Sequence, residues 1–331
     1  MEPKISVALP VYNGANFLRE ALDSVLAQTF GDFELVVSDN CSTDETPQIL
    51  EDYTRRDARV RVSRSEKFLA QADNVNRSVA LCNTEWVKLF CHDDLLKPWC
   101  LETLQRATID SRAGTVGVIG NGEDWLFENG YLHTTQKPEL EIPEVVYWQG
   151  TELLRKNLAA SSAISLPALT TATVRKEAWL DCGGFDKRFS HFDVFLWTEM
   201  LLRWDYLVVC SVLTTNRIHS GQVAVAARRS LKSIEDHRLF WREFLDEHGN
   251  ELQVGARSEA FITLRPVSIA GSAIAIHWLK GNYRTGLGIF AHLPVSWWPL
   301  LPPITLRNLA RERKKINDLR KRVPLEQIYP G

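Results

Sequence analysis

The feature that most constrains this chain is the alternation of two hydrophobic periods through its first 120 residues. Ile5–Leu9 is a short β-rich run stopped at Pro10. Phe17 to Leu26 then places Phe17, Leu18, Ala21, Leu22, Val25 and Leu26 on one helical stripe. Phe33–Val37 is a second apolar run ending at Ser38-Asp39, after which Thr43 or Asp44 can cap a helix through Tyr53. Val60–Ser63 reads as a third strand, Ala72–Leu81 as a helix, and Trp86–Cys91 as a fourth strand stopped by His92-Asp93-Asp94. Pro98 stands where a helix can begin and run to about Ile109, and Thr115–Gly120 is expected as a fifth strand. Strands alternating with helices predict an α/β fold with a mostly parallel sheet flanked by helices. Such sheets bind ligands outside the carboxyl ends of their strands. Pro10-Val11-Tyr12-Asn13, Asp39-Asn40 and Asp93-Asp94 all follow strand ends, so they are expected to converge on one crevice.

Beyond that region the pattern loosens. Asn121 to Leu166 reads as loops and short elements on the acceptor side. Thr170–Val174 is expected as a strand, followed by a helix through Trp179, a turn at Gly183-Gly184 and an apolar helix over Phe195–Leu202. Helices are expected from Ala226 to about His248 and from Ser258 to Lys280, a helical C-terminal extension. The 331 residues fit one large α/β domain plus such an appendage.

Charge is unevenly placed. The net charge of −2 gives no global signal for polyanions, and no nucleic-acid partner is expected. Residues 307–322, however, hold eight Lys and Arg against Glu312 and Asp318, a local +6 on a body of −8. Trp297, Trp298 and neighbouring prolines precede that segment, so residues 286–322 suit an anionic membrane surface; a packed subdomain with a solvated basic helix is the alternative. Gly286–Leu306 is mostly apolar, but His292 and four prolines argue against a spanning helix. The first thirteen residues hold no long apolar signal region, so a cytoplasmic location is the default expectation. The six cysteines form no CxxC pair and read as reduced, buried thiols.

Asp93 and Asp94 carry the strongest chemical signal. Two adjacent carboxylates ending a buried strand can hold Mg2+ or Mn2+ and leave positions open for phosphate oxygens, although a helix cap or solvated turn uses the same residues. Asp39 could accept a hydrogen bond from a base or ribose, and Pro10-Val11-Tyr12-Asn13 could form an aromatic wall; both also suit ordinary turns. Asp193, just before an apolar helix, could deprotonate a hydroxyl or simply cap that helix. His219 could meet a metal or phosphate, or be structural. GxGxxG, GxxxxGK[ST], GxSxG, CxxC and HExxH are all absent, which counts against Rossmann dehydrogenases, P-loop NTPases, serine hydrolases and common zinc sites.

In order along the chain, these segments resemble glycosyltransferase family 2, the inverting enzymes of GT-A fold (Rossmann-like, nucleotide-diphospho-sugar transferases). The resemblance runs through residues 7–14, 17–29 and 33–44, then Asn74 and Asn76, His92-Asp93-Asp94, Gly183-Gly184-Phe185-Asp186, and Phe192-Asp193 to Trp197. It covers roughly residues 4–220 and implies a sugar transferase of the bacterial polysaccharide or glycolipid type. It also implies a domain layout: residues 1–225 as the GT-A catalytic domain, with 1–115 the nucleotide half and 116–225 the acceptor half, and 226–331 as a helical region with a basic tail. By the same resemblance, Pro10, Val11, Tyr12, Asn13, Asp39, Asn74 and Asp93 line the donor site. Asp94 and His219 approach Mn2+ or Mg2+, and Asp193 is the general base. The donor is a nucleotide-diphosphate sugar, and the acceptor a glycan or lipid-linked sugar reached from the inner face of a membrane. Three positions depart from the pattern: Cys91 stands at the first acidic position of the metal motif, Phe192 replaces Glu before the base, and Asn40-Cys41 replace Asp-Gly. Two other readings stay open, a catalytically silent nucleotide-sugar-binding partner of a membrane assembly and a nucleotidyltransferase.

Overall fold

The computed structural model describes residues 3–109, 113–134, 145–159, 166–219 and 231–253. The first half follows the expected alternation: β1 (Ile5–Val11), α1 (Ala15–Leu26), β2 (Phe33–Asp39), α2 (Thr46–Arg56), β3 (Val60–Arg64), α3 (Gln71–Ala80), β4 (Trp86–Leu89), β5 (Leu95–Leu96) and α4 (Cys100–Thr108). There follow β6 (Val116–Phe127), β7 (Leu132–Thr134), β8 (Val145–Trp148), α5 (Gly150–Ala159), β9 (Ala172–Arg175), α6 (Lys176–Asp181), α7 (Phe192–Met200), β10 (Asp205–Ile218) and α8 (Leu231–His248).

All these strands join one sheet, whose main path runs β3-β2-β1-β4-β9-β6-β10-β5. β3, β2, β1 and β4 are mutually parallel, as the crossover helices require. β9 inserts antiparallel between β4 and β6, β10 runs parallel to β6, and β5 closes the edge antiparallel to β10. The sheet is thus parallel on one side and mixed on the other.

Burial on both faces explains the uninterrupted apolar runs. Every residue of β2 is buried, and β1 is buried except at Pro10. On one face, α1 presents Leu18, Ala21, Leu22 and Val25 to Val7, Leu9, Leu35 and Val37. Each such side chain contributes roughly 1.5–3 kcal/mol by leaving water. The other face is covered by α3, α5, α6 and α7 through Val75, Val79, Leu153, Trp179, Phe195 and Trp197.

Residues 121–166 are expected as loops and short elements, and their described part holds more regular structure than that. β6 continues to Phe127, and β7, β8 and α5 follow it. The 14-residue strand β10 is also outside the expected elements. Its register against β6 shifts at three places, and these bulges break the strict alternation by which a strand is recognised. The expected boundary at 225/226 and the expected helix over 258–280 lie outside the described residues. Within the described part, α8 packs Phe240, Trp241 and Phe244 into the same apolar cluster as α7. No described helix is long and apolar enough to cross a membrane. None of the six cysteines is in a disulfide; Cys82 and Cys100 are buried and the other four half-buried.

Candidate active site at the carboxyl edge of the sheet

The carboxyl ends of β1 and β2 lie side by side, with Pro10 opposite Ser38 and Val11 opposite Asp39. Asn40 N–H donates to Val11 O at 2.9 Å and locks the two exits together. Asp39 is 1% exposed; Ser42 N–H donates to its Oδ1 at 3.0 Å and Arg64 lies 3.3 Å from Oδ2. Asn13 takes a left-handed φ of 49°, which Asn tolerates better than most residues, and its Oδ1 accepts Thr43 N–H at 2.8 Å. Gly14 sits so close to His92 that an added Cβ would lie 2.5 Å from that ring. The first amides of α1 are already satisfied: Gly14 N–H donates to Thr46 Oγ1 and Ala15 N–H to Asp44. A helix N-terminus filled by its own chain offers no phosphate cradle, in keeping with the missing glycine-rich loop.

Asn40 also donates to Leu69 O at 3.0 Å and accepts Leu69 N–H at 2.8 Å. This clamp fixes the loop after β3, and that loop carries Phe68. Phe68, 63% exposed, meets Tyr12, 44% exposed, edge to face at 4.9 Å. Two solvent-facing rings beside a buried carboxylate form an aromatic corner, of which sequence reasoning finds only the Tyr12 half. Asn74 is 5% exposed, and its amide accepts Ser38 Oγ–H at 2.7 Å and donates to Ser38 O at 3.2 Å. It therefore braces the β2 exit through Ser38.

β4 leads into Phe90-Cys91-His92-Asp93-Asp94, and the two carboxylates have different surroundings. Asp94 is 3% exposed; Oδ1 accepts Arg217 N–H at 2.9 Å, and Oδ2 accepts the Thr170 hydroxyl. Burial, with the neighbouring Asp93 charge, pushes its carboxyl up to about 8 against these hydrogen bonds. Asp93 is more open, and its Oδ2 lies 3.1 Å from His219 Nε2. Burial acts to raise Asp93 too, but the His219 hydrogen bond and the adjacent His92 and His219 hold it below its usual range. Asp94 thus faces the interior, and Asp93 is the more exposed of the two. His219 comes from the end of β10 and packs its ring 4.7 Å from Phe17 of α1. Arg217 donates Nε–H to Asp93 O at 2.9 Å, pairs with Glu20 at 2.9 Å and lies over the Phe17 ring.

Donor atoms of Cys91, Asp93 and Asp94 lie within 4.8 Å of one another, the one such grouping among the described residues. A carboxylate raised this far by burial and then by its neighbour's charge, with a second carboxylate and a thiol beside it, is a site short of positive charge, so the residues fit a divalent cation. The Cys91 thiol is itself pushed up by burial and by both aspartates. Beneath them Lys88 is fully buried, donating to Thr170 O at 2.6 Å and Asn121 Oδ1 at 3.0 Å; burial pushes its ammonium down to about 8. Sequence reasoning does not single out Thr170, Arg217 or Lys88, although a lysine inside Trp86-Val87-Lys88-Leu89-Phe90 is a visible signal.

Asp193 is the second residue of α7, and its Oδ1 accepts Val194 N–H at 2.9 Å. Trp197 of the same helix donates to Pro167 O at 2.8 Å, tying α7 to the segment that carries Thr170. Asn76 of α3 accepts Phe185 N–H and donates to Phe185 O, both at 2.8 Å. Gly184, at φ 70°, lets that clamp close, since a Cβ there would lie 2.5 Å from Asn76 Oδ1.

A mixed sheet of this order, with carboxylates at its strand ends, defines an α/β protein of the GT-A class. Residues 6–161 match the model of glycosyl transferase family 2. It is 30% identical over 183 residues to the glycosyltransferase GlyG of Streptococcus pneumoniae; the match takes in 54% of this chain and spans 58% of that protein's length. Among solved structures, the mannosyltransferase PcManGT of Pyrobaculum calidifontis, in complex with GDP-Man and Mn2+, is similar at a TM-score of 0.56 and 17% identity, over 95% of this chain and 88% of that one. Residues 1–349 of TarS from S. aureus, in complex with UDP-GlcNAc, are similar at a TM-score of 0.52 and 19% identity, over 87% and 91%. These structural likenesses carry the fold.

Proposed function

We propose that the chain is a metal-dependent inverting glycosyltransferase that moves a sugar from a nucleotide-diphosphate donor to a glycan or lipid-linked acceptor. The observation that carries the reading is the carboxylate pair Asp93-Asp94, held at the exit of β4 against Arg217 and His219 and facing the same edge as Tyr12 and Asp39. The domain match and the donors bound by PcManGT and TarS support it. Residues 1–225 form the catalytic unit in this reading.

Tyr12 and Phe68 hold the base, backed by Pro10 and Val11, and the Asp39 carboxylate accepts a hydrogen bond from base or ribose. Asn13 shapes the turn beneath them. Asp93 and Asp94 hold Mn2+ or Mg2+, with His219 beside Asp93. The ion, when bound, neutralises charge on the departing diphosphate. Asp193 takes the proton from the acceptor hydroxyl as its oxygen bonds to the anomeric carbon. The bond from that carbon to the diphosphate oxygen breaks on the opposite face with its electron pair, and the anomeric configuration inverts. Residues 286–322 place the protein on the anionic inner surface of a membrane, where lipid-linked acceptors lie.

Calorimetric titration with UDP, dTDP and GDP, each with and without Mn2+, tests the donor site. Metal-dependent binding of one nucleotide is the expected result; a folded protein that binds none overturns the assignment.

A further inference from the structure

α8 lies beyond the residues matched to the family and beyond those that carry the sequence resemblance. Its buried face changes character along its length. Phe240, Trp241 and Phe244 are apolar, as packing alone requires, but Ser233, Asp236 and His237 are polar and no more than 5% exposed. Burying polar groups is costly unless they are hydrogen-bonded. The polar stretch occurs where α8 meets Ser190 and His191, immediately before Phe192-Asp193.

Asp236 Oδ2 accepts both Ser190 N–H and Ser190 Oγ–H at 2.7 Å. Its Oδ1 accepts Lys232 Nζ at 2.7 Å, and Lys232 also donates to Arg188 O at 2.8 Å. His191 Nδ1 lies 3.2 Å from Ser190 Oγ and 3.4 Å from Ser233 Oγ, with its ring 5.1 Å from His237. On the apolar side Phe195 stacks on Phe240 at 4.1 Å. His191 is the N-cap residue of α7 and makes no side-chain capping hydrogen bond; within the first turn Asp193 Oδ1 accepts Val194 N–H. The chain entering α7 is thus held by a neighbouring helix through a charged acceptor, and charged hydrogen bonds are the stronger kind.

We propose that Asp236 is a positioning residue for the transfer reaction, fixing the entry of α7 so that the Asp193 carboxylate is aimed at the acceptor hydroxyl. This rests on the reading of Asp193 as the base. The assignment makes α8 part of the catalytic apparatus and gives its polar stretch a purpose that packing does not supply.

The test uses the full chain, with UDP-GlcNAc and GDP-mannose as donors, Mn2+, and nucleotide release as the readout. Asp236→Ala should lower kcat roughly 10- to 100-fold, the range expected when a reacting group is misplaced by about 1 Å. Donor KM should stay within about two-fold, because the donor residues lie on other elements. Asp236→Asn leaves Ser190 only a neutral acceptor and sets an amide against Lys232, so its kcat should fall between wild type and Asp236→Ala; if the alanine variant does not fold, wild-type kcat and 190–195 exchange in Asp236→Asn overturn the proposal. Hydrogen exchange across residues 190–195 should quicken in Asp236→Ala while β1 is unchanged. Asp193→Ala is run in parallel. If it abolishes turnover while Asp236→Ala and its 190–195 exchange match wild type, the positioning role is overturned and the base stands. If Asp193→Ala leaves turnover intact, the base assignment fails and takes the positioning role with it.

Discussion

Replacing Asp94 by asparagine should stabilise the metal-free protein, and the gain should grow with pH. The Asp94 carboxyl sits at about 8 in the fold, pushed there by burial and by Asp93, against an ordinary value near 3.8. Its folded pKa is raised, so the folded state holds about one proton more than the unfolded chain between those two values. Stability from this group is therefore full below about pH 4 and is lost as pH rises toward 8. The slope for one proton is about 1.4 kcal/mol per pH unit at most. The Asp94→Asn variant would have no such slope. The amide oxygen it introduces can still accept Arg217 N–H, and the NH2 can donate to Thr170 Oγ1, whose hydroxyl reverses role. The advantage of the amide is thus small below about pH 4 and grows to a few kcal/mol by pH 8, a rise of several degrees in Tm for a domain of this size. The assay is thermal unfolding in EDTA at pH 5, 6, 7 and 8 for both proteins. The two curves should diverge as pH rises, with Asp94→Asn above wild type at pH 8. Mn2+ should restore the wild type at pH 8 and do little for the variant. A variant that melts below wild type at every pH, with parallel pH profiles, would refute the reasoning.

Three further outcomes are expected. Asp193→Ala should reduce turnover by about 10²–10⁴-fold while UDP or GDP affinity stays within about two-fold, read by steady-state kinetics and calorimetry. Tyr12→Ala should weaken nucleotide binding by roughly 1 kcal/mol, about five-fold in Kd, since Phe68 loses its edge-to-face neighbour as the base loses one wall. Neutralising Arg313, Lys314, Lys315, Lys321 and Arg322 together should abolish sedimentation with anionic liposomes and leave neutral liposomes unaffected, at about 1 kcal/mol per removed charge; unchanged binding would remove the membrane reading.

Periodicity alone finds the first half of the fold, because β1, β2 and β4 are buried on both faces and their helices expose one clean stripe. It fails at β10, where bulges interrupt the alternation, and at the continuation of β6. That failure hides part of the site. In the sequence Arg217 is only the neighbour of His219, yet its backbone amide and guanidinium organise both aspartates. Thr170 is legible only as the start of a strand. Local spacing can pair Asp93 with Asp94, but it cannot say which faces inward; that is decided by Thr170 and Arg217, 76 and 123 residues away in sequence. Asn74 reads as a donor-site residue; its second task, holding Ser38 at the end of β2, is set by a residue 36 positions away.

The position of β9 has a consequence for any attempt to divide this chain. Four residues, Ala172–Arg175, are the sole bridge of the main sheet path between β4 and β6, pairing antiparallel to both. A fragment ending at residue 161, where the family match stops, would keep β4 and β6 but leave a strand-wide slot between them. Both strands would then present unpaired edges, the usual template for edge-to-edge aggregation. The segment most easily recognised in the sequence thus lacks the strand that joins its two halves. A usable boundary must lie beyond β10.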